Sequence, residues 1–337
     1  KGENKNYEKD ELRLKDIVVS WVLVDSDSVR FGDKPTEEFK FKIVNDLNKK
    51  SLTFDFNNSI MEWEISQKIR EWNIYKERIA AREKALIRTR SGIIAEEIKK
   101  QPFNLIDIYC TDGSKAIEFI SSLGDGFKIR YCPVNVNKEL VDLSLKNIRS
   151  KKFDSVFDYN PLVSDCDGRT LNRVTNKLKD KTYKTNVVLL LRSVLASYEI
   201  NSYLFELSKD MKIGDYLVIG NGIRLGERLV NLETYKHPIW DEWFINLMRG
   251  LGFKDSEVKY DVRFGNSRIE AFYKIKADKI IEFKKKKIEF KTGDEVLVAV
   301  LYKYYLDEFD KFCKMYFSQV DLFKDDESEY ALVFCRK

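Results

Sequence analysis

Leu105-Ile106-Asp107-Ile108-Tyr109-Cys110-Thr111-Asp112-Gly113-Ser114-Lys115 is the stretch on which the fold turns. An apolar run over 105–110 gives way to a polar turn with one glycine, and a helical pattern follows as far as Leu123. A strand, a tight loop and a helix in direct succession begin a βαβ unit. The rhythm repeats outward. Ile129 to Cys132 is a second apolar run, followed by a helix with Leu140, Val141, Leu145 and Ile148 on one side. Leu162 to Ser164 is a third strand candidate, and Val187 to Leu191 is continuously apolar, as a parallel strand covered on both faces should be. Ile200, Tyr203, Leu204, Leu207 and Met211 fall at helical spacing, Gly214-Asp215 ends that helix, and Tyr216 to Ile219 reads as a fifth strand. Such alternation demands right-handed crossovers and a parallel sheet.

Upstream, residues 60–100 read as helix. After Gly222 the rhythm changes: Glu227 to Leu251 reads as mostly helical, with Pro238 expected to interrupt it. Strand candidates follow at Glu257 to Val262, Ile269 to Ile275, Ile280 to Phe283, Ile288 to Phe290 and Glu295 to Val300, with Lys284 to Lys287 as a hairpin turn. A helix carrying Leu306, Phe309 and Cys313 precedes two last strands, Gln319 to Phe323 and Tyr330 to Cys335.

Composition narrows the function classes. With 43% hydrophobic and 34% charged residues, the 337-residue chain has the balance of a globular protein large enough for two cores. Its 60 basic and 55 acidic side chains leave a charge of +5, too dispersed for a nucleic-acid binder, so no nucleic acid is expected. Cys110, Cys132, Cys166, Cys313 and Cys335 form no CxxC pair, which argues against a zinc site or a disulfide framework. One histidine, His237, leaves almost no room for Ser-His or Cys-His chemistry. The N-terminus lacks the apolar core of a signal peptide and no run is long enough for a bilayer, so a cytoplasmic location without a membrane partner is expected.

In open α/β sheets ligands bind beyond the carboxyl ends of the strands, where strand order reverses. The loop after the first strand keeps a single glycine, Gly113, and places Tyr109 where the chain would otherwise approach a ligand closely. The second strand ends at Asn135, where a carboxylate would take two ribose hydroxyls. The third ends in Val163-Ser164-Asp165-Cys166-Asp167; Asp165 can accept an adenine amino group or cap its own loop.

A parallel five-strand core closed by a final strand pair is the layout of a Rossmann-like class I methyltransferase sheet, here with a second, smaller α/β domain. From about Lys50 onward the chain resembles the histidine-specific, S-adenosylmethionine-dependent N-methyltransferases of the ergothioneine pathway. The resemblance rests on Arg88-Thr89-Arg90-Ser91, Tyr131-Cys132-Pro133-Val134-Asn135-Val136, Ser267-Arg268-Ile269-Glu270, and the run from Gly293-Asp294-Glu295 through Tyr302-Lys303-Tyr304. It implies a core of residues 83–224 and 275–337, and a substrate domain of residues 1–82 and 225–274. It also implies S-adenosylmethionine as cofactor, contacted by Tyr109, Gly113, Lys115 (near the methionine carboxylate), Asn135, Asp165, Cys166 and Arg192. Substrate contacts are implied for Ser197, Tyr235, Glu270, Arg78 and Asn58. The family's Tyr-Tyr-Pro segment aligns with Glu77-Arg78-Ile79, and its polar loop before the final helix has become Val298-Ala299-Val300-Leu301. Glu270 matches the carboxylate that grips an imidazole, although Arg268 or Arg263 could neutralise it.

These departures leave two functions open. One is an active N-methyltransferase whose small-molecule partner is an amine or amino acid other than histidine. The other is a catalytically degenerate pseudo-methyltransferase, for which a protein partner is expected. A methyltransferase acting on RNA or protein is a weaker third, suggested only by the basic excess and the Lys284 to Lys287 turn.

Overall fold

The computed structural model describes residues 12–13, 18–20, 42–44, 70–135, 138–164, 175–226, 232–250, 252–265, 267–283 and 286–337. Among them the chain divides into two compact units: Lys1–Phe56, Tyr235–Gly265 and Ile269–Val300 make the smaller, and Asn57–Thr234, Asn266–Arg268 and Leu301–Lys337 the larger.

The larger unit is built on one sheet. Its strands lie in the spatial order Gln319–Lys324, Tyr330–Arg336, Tyr216–Gly222, Thr185–Leu190, Phe103–Ile108, Ile129–Asn135, Val156–Tyr159, with Leu162–Val163 also on the Ile129–Asn135 strand. The run from Val156–Tyr159 to Tyr216–Gly222 is parallel throughout. Tyr330–Arg336 enters antiparallel beside Tyr216–Gly222, and Gln319–Lys324 is antiparallel to it in turn. Numbered along the chain, with Leu162–Val163 left as an extension of the third strand, this is the order 3-2-1-4-5-7-6 of the class I methyltransferase sheet. The central strands Phe103–Ile108 and Ile129–Asn135 are buried at every position, because helices cover both faces.

Register in the middle of the sheet is fixed by polar side chains as well as apolar ones. Asn104 lies opposite Arg130 on one side and Asn186 on the other. Asn104 Oδ1 accepts from Arg130 Nε at 2.7 Å, and its Nδ2 donates to Asn186 Oδ1 at 2.8 Å. Arg130 continues to Asp180 at 2.6 Å and stacks over Tyr183. A slip of one residue would strand each of these buried groups, so the network specifies the pairing.

Two expectations are corrected at this level. The third strand is Val156–Tyr159, with Leu162–Val163 a short extension pairing the end of Ile129–Asn135. It is an edge strand with Phe157 and Asp158 exposed, so no apolar run announced it. Pro238 does not interrupt a helix: it begins one, Pro238–Gly250, where its missing N–H is no loss. His237 sits just ahead, its Nδ1 accepting the Ile239 N–H at 3.2 Å.

Helix Arg70–Arg90 packs on helix Ser114–Leu123 and on strand Tyr330–Arg336, which brings residues 70–82 into the larger unit. Val258–Gly265, Arg268–Ile275 and Glu295–Tyr302 form one sheet, of which residues 258–265, 269–275 and 295–300 belong to the smaller unit. Lys279–Phe283 and Lys286–Phe290 pair antiparallel in another, also within the smaller unit. Lys284 and Lys285 of the basic turn, and residues 227–231 of the anticipated helix, lie outside the described residues. No helix among the described residues is long and apolar enough to cross a membrane.

Asp215 shows how the lower edge of the sheet is held. It is buried to 1% exposure and accepts from Lys179 Nζ at 2.7 and 2.8 Å, from Asn186 N–H at 2.9 Å and from Lys212 N–H at 2.8 Å. Asp215→Ala leaves those donors without an acceptor and is expected to cost about 3–5 kcal/mol in urea unfolding; a loss below ~1 kcal/mol would contradict this arrangement.

Candidate active site

Strand Phe103–Ile108 is flanked by Ile129–Asn135 on one side and Thr185–Leu190 on the other, both parallel to it. Its carboxyl end is therefore the point where strand order reverses, and the loops following these strands frame the crevice. The first loop leaves the strand with Tyr109 in the left-handed region (φ 54°) and enters helix Ser114–Leu123 through Gly113 (φ 74°). A Cβ at Gly113 would lie 2.7 Å from Ser144 Oγ, so both its backbone angle and the helix beneath require glycine. Asp112 receives the Ser114 N–H at 3.0 Å and fixes the first turn of the helix. The loop after Thr185–Leu190 has two further left-handed residues, Arg192 (φ 67°) and Ser193 (φ 57°), before a 3-10 turn over Val194–Ser197. Left-handed backbone at three non-glycine residues costs on the order of 1–2 kcal/mol each and is sustained by the contacts around it.

One of those contacts, from the Arg192 N–H, reaches a buried carboxylate. Glu83 of helix Arg70–Arg90 is 1% exposed. Its Oε2 lies 2.7 Å from Lys115 Nζ, and its Oε1 accepts the Arg192 N–H at 2.7 Å and the Tyr330 hydroxyl. Lys115, itself buried, also donates to the Ala80 carbonyl at 2.9 Å. Burial depresses the Lys115 pKa and the Glu83 charge works against that. The Arg192 guanidinium reaches across the crevice to within 4.0 Å of Asp112. Burial acts upward on Asp112, but hydrogen bonds from Ser114 and the Arg192 charge hold its pKa below the usual value.

The remaining groups at the strand tips are likewise committed within the chain. Asn135 is 5% exposed and donates through Nδ2 to the Cys110 carbonyl at 2.7 Å. Tyr109 and Tyr198 meet hydroxyl to hydroxyl, from the first loop to the loop after Thr185–Leu190. Tyr304 accepts the Ile200 N–H at 3.0 Å and so secures the far end of that loop. Below the loop, Asp107 receives the Tyr131 hydroxyl at 2.8 Å, and burial pushes its carboxyl up to about 6.

Tyr109, Gly113, Lys115, Asn135 and Arg192 lie at or just beyond the tips of neighbouring strands, and Ser197 closes the 3-10 turn of the same region, half-buried. Arg78 is exposed and paired with Glu329 at 3.0 Å. Asp165, Cys166 and Asn58 lie outside the described residues. In the smaller unit, Glu270 is buried and its Oε2 is 2.8 Å from Arg263 Nε, while Arg263 Nη1 holds Glu295 at 2.5 Å. Arg268 turns instead to the Tyr302 hydroxyl at 2.9 Å. Tyr235 stacks on Trp240 at 5.1 Å. Sequence reading overlooked Glu83, Tyr198 and Tyr330. A signal existed for the first: Glu83 lies four residues from both Ile79 and Ile87, a charge on the apolar stripe of its helix.

Tested against S-adenosylmethionine, the donor chemistry fits. A helix N-terminus entered through glycine, a lysine in the first turn, an arginine across the crevice and an amide at the ribose position suit an amino acid joined to a nucleoside. It departs from that pattern where Glu83 holds Lys115 and where Asn135 bonds to Cys110. Among the described residues no group of His, Cys, Asp and Glu is placed to hold a metal ion.

Residues 67–337 match the family described as histidine-specific methyltransferase, SAM-dependent. Comparison with the curated proteins finds no match. Among solved structures the chain is similar to the PH0226 protein of Pyrococcus horikoshii OT3, at 12% identity over 75% of this chain and 91% of that one, with a TM-score of 0.39. It is similar also to the sugar N-methyltransferase KedS8 of Streptoalloteichus, at 10% identity over 76% and 88%, with a TM-score of 0.35.

Asp107 gives the crevice floor a pH signature. Its folded pKa of about 6 exceeds the ordinary carboxylate value, so the folded chain binds this proton more tightly than the unfolded one. Its contribution is complete below about pH 4 and is lost as pH rises through about 6, by on the order of 3 kcal/mol at most. Asp107→Asn is expected to flatten the decline of the urea midpoint between about pH 4 and 6; an unchanged slope would refute the assignment.

Proposed function

Because the chain belongs to the histidine-specific, SAM-dependent methyltransferase family, we propose that it methylates the nitrogen of a small amine or amino acid other than histidine. The chain is an S-adenosylmethionine-dependent methyltransferase acting on a small molecule, and the cofactor, when bound, supplies an electrophilic methyl group on its sulfonium. Arg192, Asn135 and the backbone about Gly113 would hold it. Asp112 steadies the first turn of the helix that carries Lys115, and Tyr304 steadies the loop after Thr185–Leu190. The Tyr109–Tyr198 hydroxyl pair offers an amine N–H an acceptor at the same strand tips.

The observation that carries the choice of substrate is the state of Glu270. A carboxylate that grips an imidazole must face it with uncompensated charge, and Glu270 is buried against Arg263 at 2.8 Å. Taking Arg263 away from it would also release Glu295. Val298 and Val300 are buried on strand Glu295–Tyr302, and the strand offers no polar side chain between Glu295 and Tyr302 to replace that grip. A less polar amine satisfies these surroundings better than histidine does.

A thermal shift with S-adenosylhomocysteine, followed by methyl transfer from S-adenosylmethionine to a panel of amines that includes histidine, tests this. The expected result is a raised Tm and turnover on a non-histidine amine, since ligand at about 100 times its Kd adds ~2.7 kcal/mol. Methylation of histidine at a comparable rate would overturn the substrate reading. A shift without turnover on any amine would assign the chain to a binding or regulatory role.

A further inference from the structure

Glu83 has no part in the chemistry just described, yet it takes the best donors at the crevice. Lys115 Nζ, the Arg192 N–H and the Tyr330 hydroxyl come from a helix, a loop and a strand far apart in sequence, and all three address this one side chain. A convergence of an ammonium, a backbone N–H and a phenol is the donor set that any carboxylate-bearing ligand would need. The seat is shaped around its present occupant. A Cβ on Gly220 would overlap both Glu83 Oε1 and the Tyr330 hydroxyl, so the strand leaves room for this carboxylate only by carrying glycine there.

The carboxylate is also held from behind. Glu83 stands on the buried stripe of helix Arg70–Arg90, and the neighbouring Arg82 pairs with Asp325 at 2.9 Å, with Glu329 at 2.6 Å and with Glu327. Swinging Glu83 into water would mean breaking that clamp or unwinding the turn. A second carboxylate beside it would meet a like charge in a poorly hydrated place.

Resting on the cofactor site assigned above, we propose that Glu83 is a specificity-determining residue that fills the carboxylate seat of the crevice. A thioether nucleoside bound there gains nothing from an α-carboxylate. The site then recognises its nucleoside ligand through the adenosine and the amine-bearing tail, and it binds S-adenosylmethionine without the lysine–carboxylate contact.

Calorimetric titration of the full chain with S-adenosylhomocysteine and with S-adenosyl-3-thiopropylamine, which differ only in the carboxylate, reads this directly. The wild-type chain is expected to bind the two within about threefold of each other. Glu83→Gln is expected to tighten S-adenosylhomocysteine by about tenfold or more and to leave the decarboxylated ligand unchanged. A wild-type preference of about a hundredfold for S-adenosylhomocysteine would overturn the proposal while sparing the cofactor site. So would an unaltered ratio in Glu83→Gln. Absence of binding by both ligands would overturn the cofactor site itself and this inference with it. If Glu83→Gln does not fold, the wild-type ratio decides alone.

Discussion

A lysine and a glutamate taken out of water together set the terms for everything above the carboxyl edge of the sheet. Glu83 and Lys115 are 1% and 6% exposed, and at 2.7 Å each is the other's reason for being charged there. Such a pair is tolerated when its remaining donors and acceptors are matched, and removing one member strands the other at a cost of several kcal/mol. The matching partners are the Ala80 carbonyl, the Arg192 N–H and the Tyr330 hydroxyl. Helix Arg70–Arg90, the first turn of helix Ser114–Leu123, the loop after Thr185–Leu190 and the last strand are therefore tied at one carboxylate.

The same economy recurs around it. Asn135 bonds to the Cys110 carbonyl, Tyr109 meets Tyr198, and in the smaller unit Glu270 is closed by Arg263. In each case a position that the family resemblance assigns to a ligand finds its partner inside the chain. The left-handed angles of Tyr109, Arg192 and Ser193 belong to this picture. They are strained positions beside the bonds from Cys110 N–H to the Val134 carbonyl, Arg192 N–H to Glu83 and Ser193 N–H to the Gly220 carbonyl, and strain so placed is a feature of functional loops.

Much of the sheet was legible because burial on both faces leaves an unbroken apolar run, as in Val187 to Leu191. Val156–Tyr159 was not, since an edge strand with exposed Phe157 and Asp158 loses that signal. Pro238 was misjudged for a related reason: proline marks a boundary, and local sequence does not say on which side the helix lies. At the site, the strand ends located Tyr109, Gly113 and Asn135, and the family resemblance added Lys115. Their partners were hidden because they are non-local. Nothing near Tyr109 points to Tyr198, 89 residues away, and the apolar stripe about Glu83 shows that it is buried without showing against what.

The cofactor assignment requires a nucleoside-sized ligand lying over the strand tips at Tyr109, Asn135 and Arg192. Hydrogen–deuterium exchange of the full chain with and without saturating S-adenosylhomocysteine tests this most directly. Slowed exchange over residues 109–115 and 191–198, with the remainder of the sheet unchanged, is the expected result. Protection confined to residues 224–226 and 305–310, which line an open cavity of about 520 Å³ elsewhere in the larger unit, would contradict it.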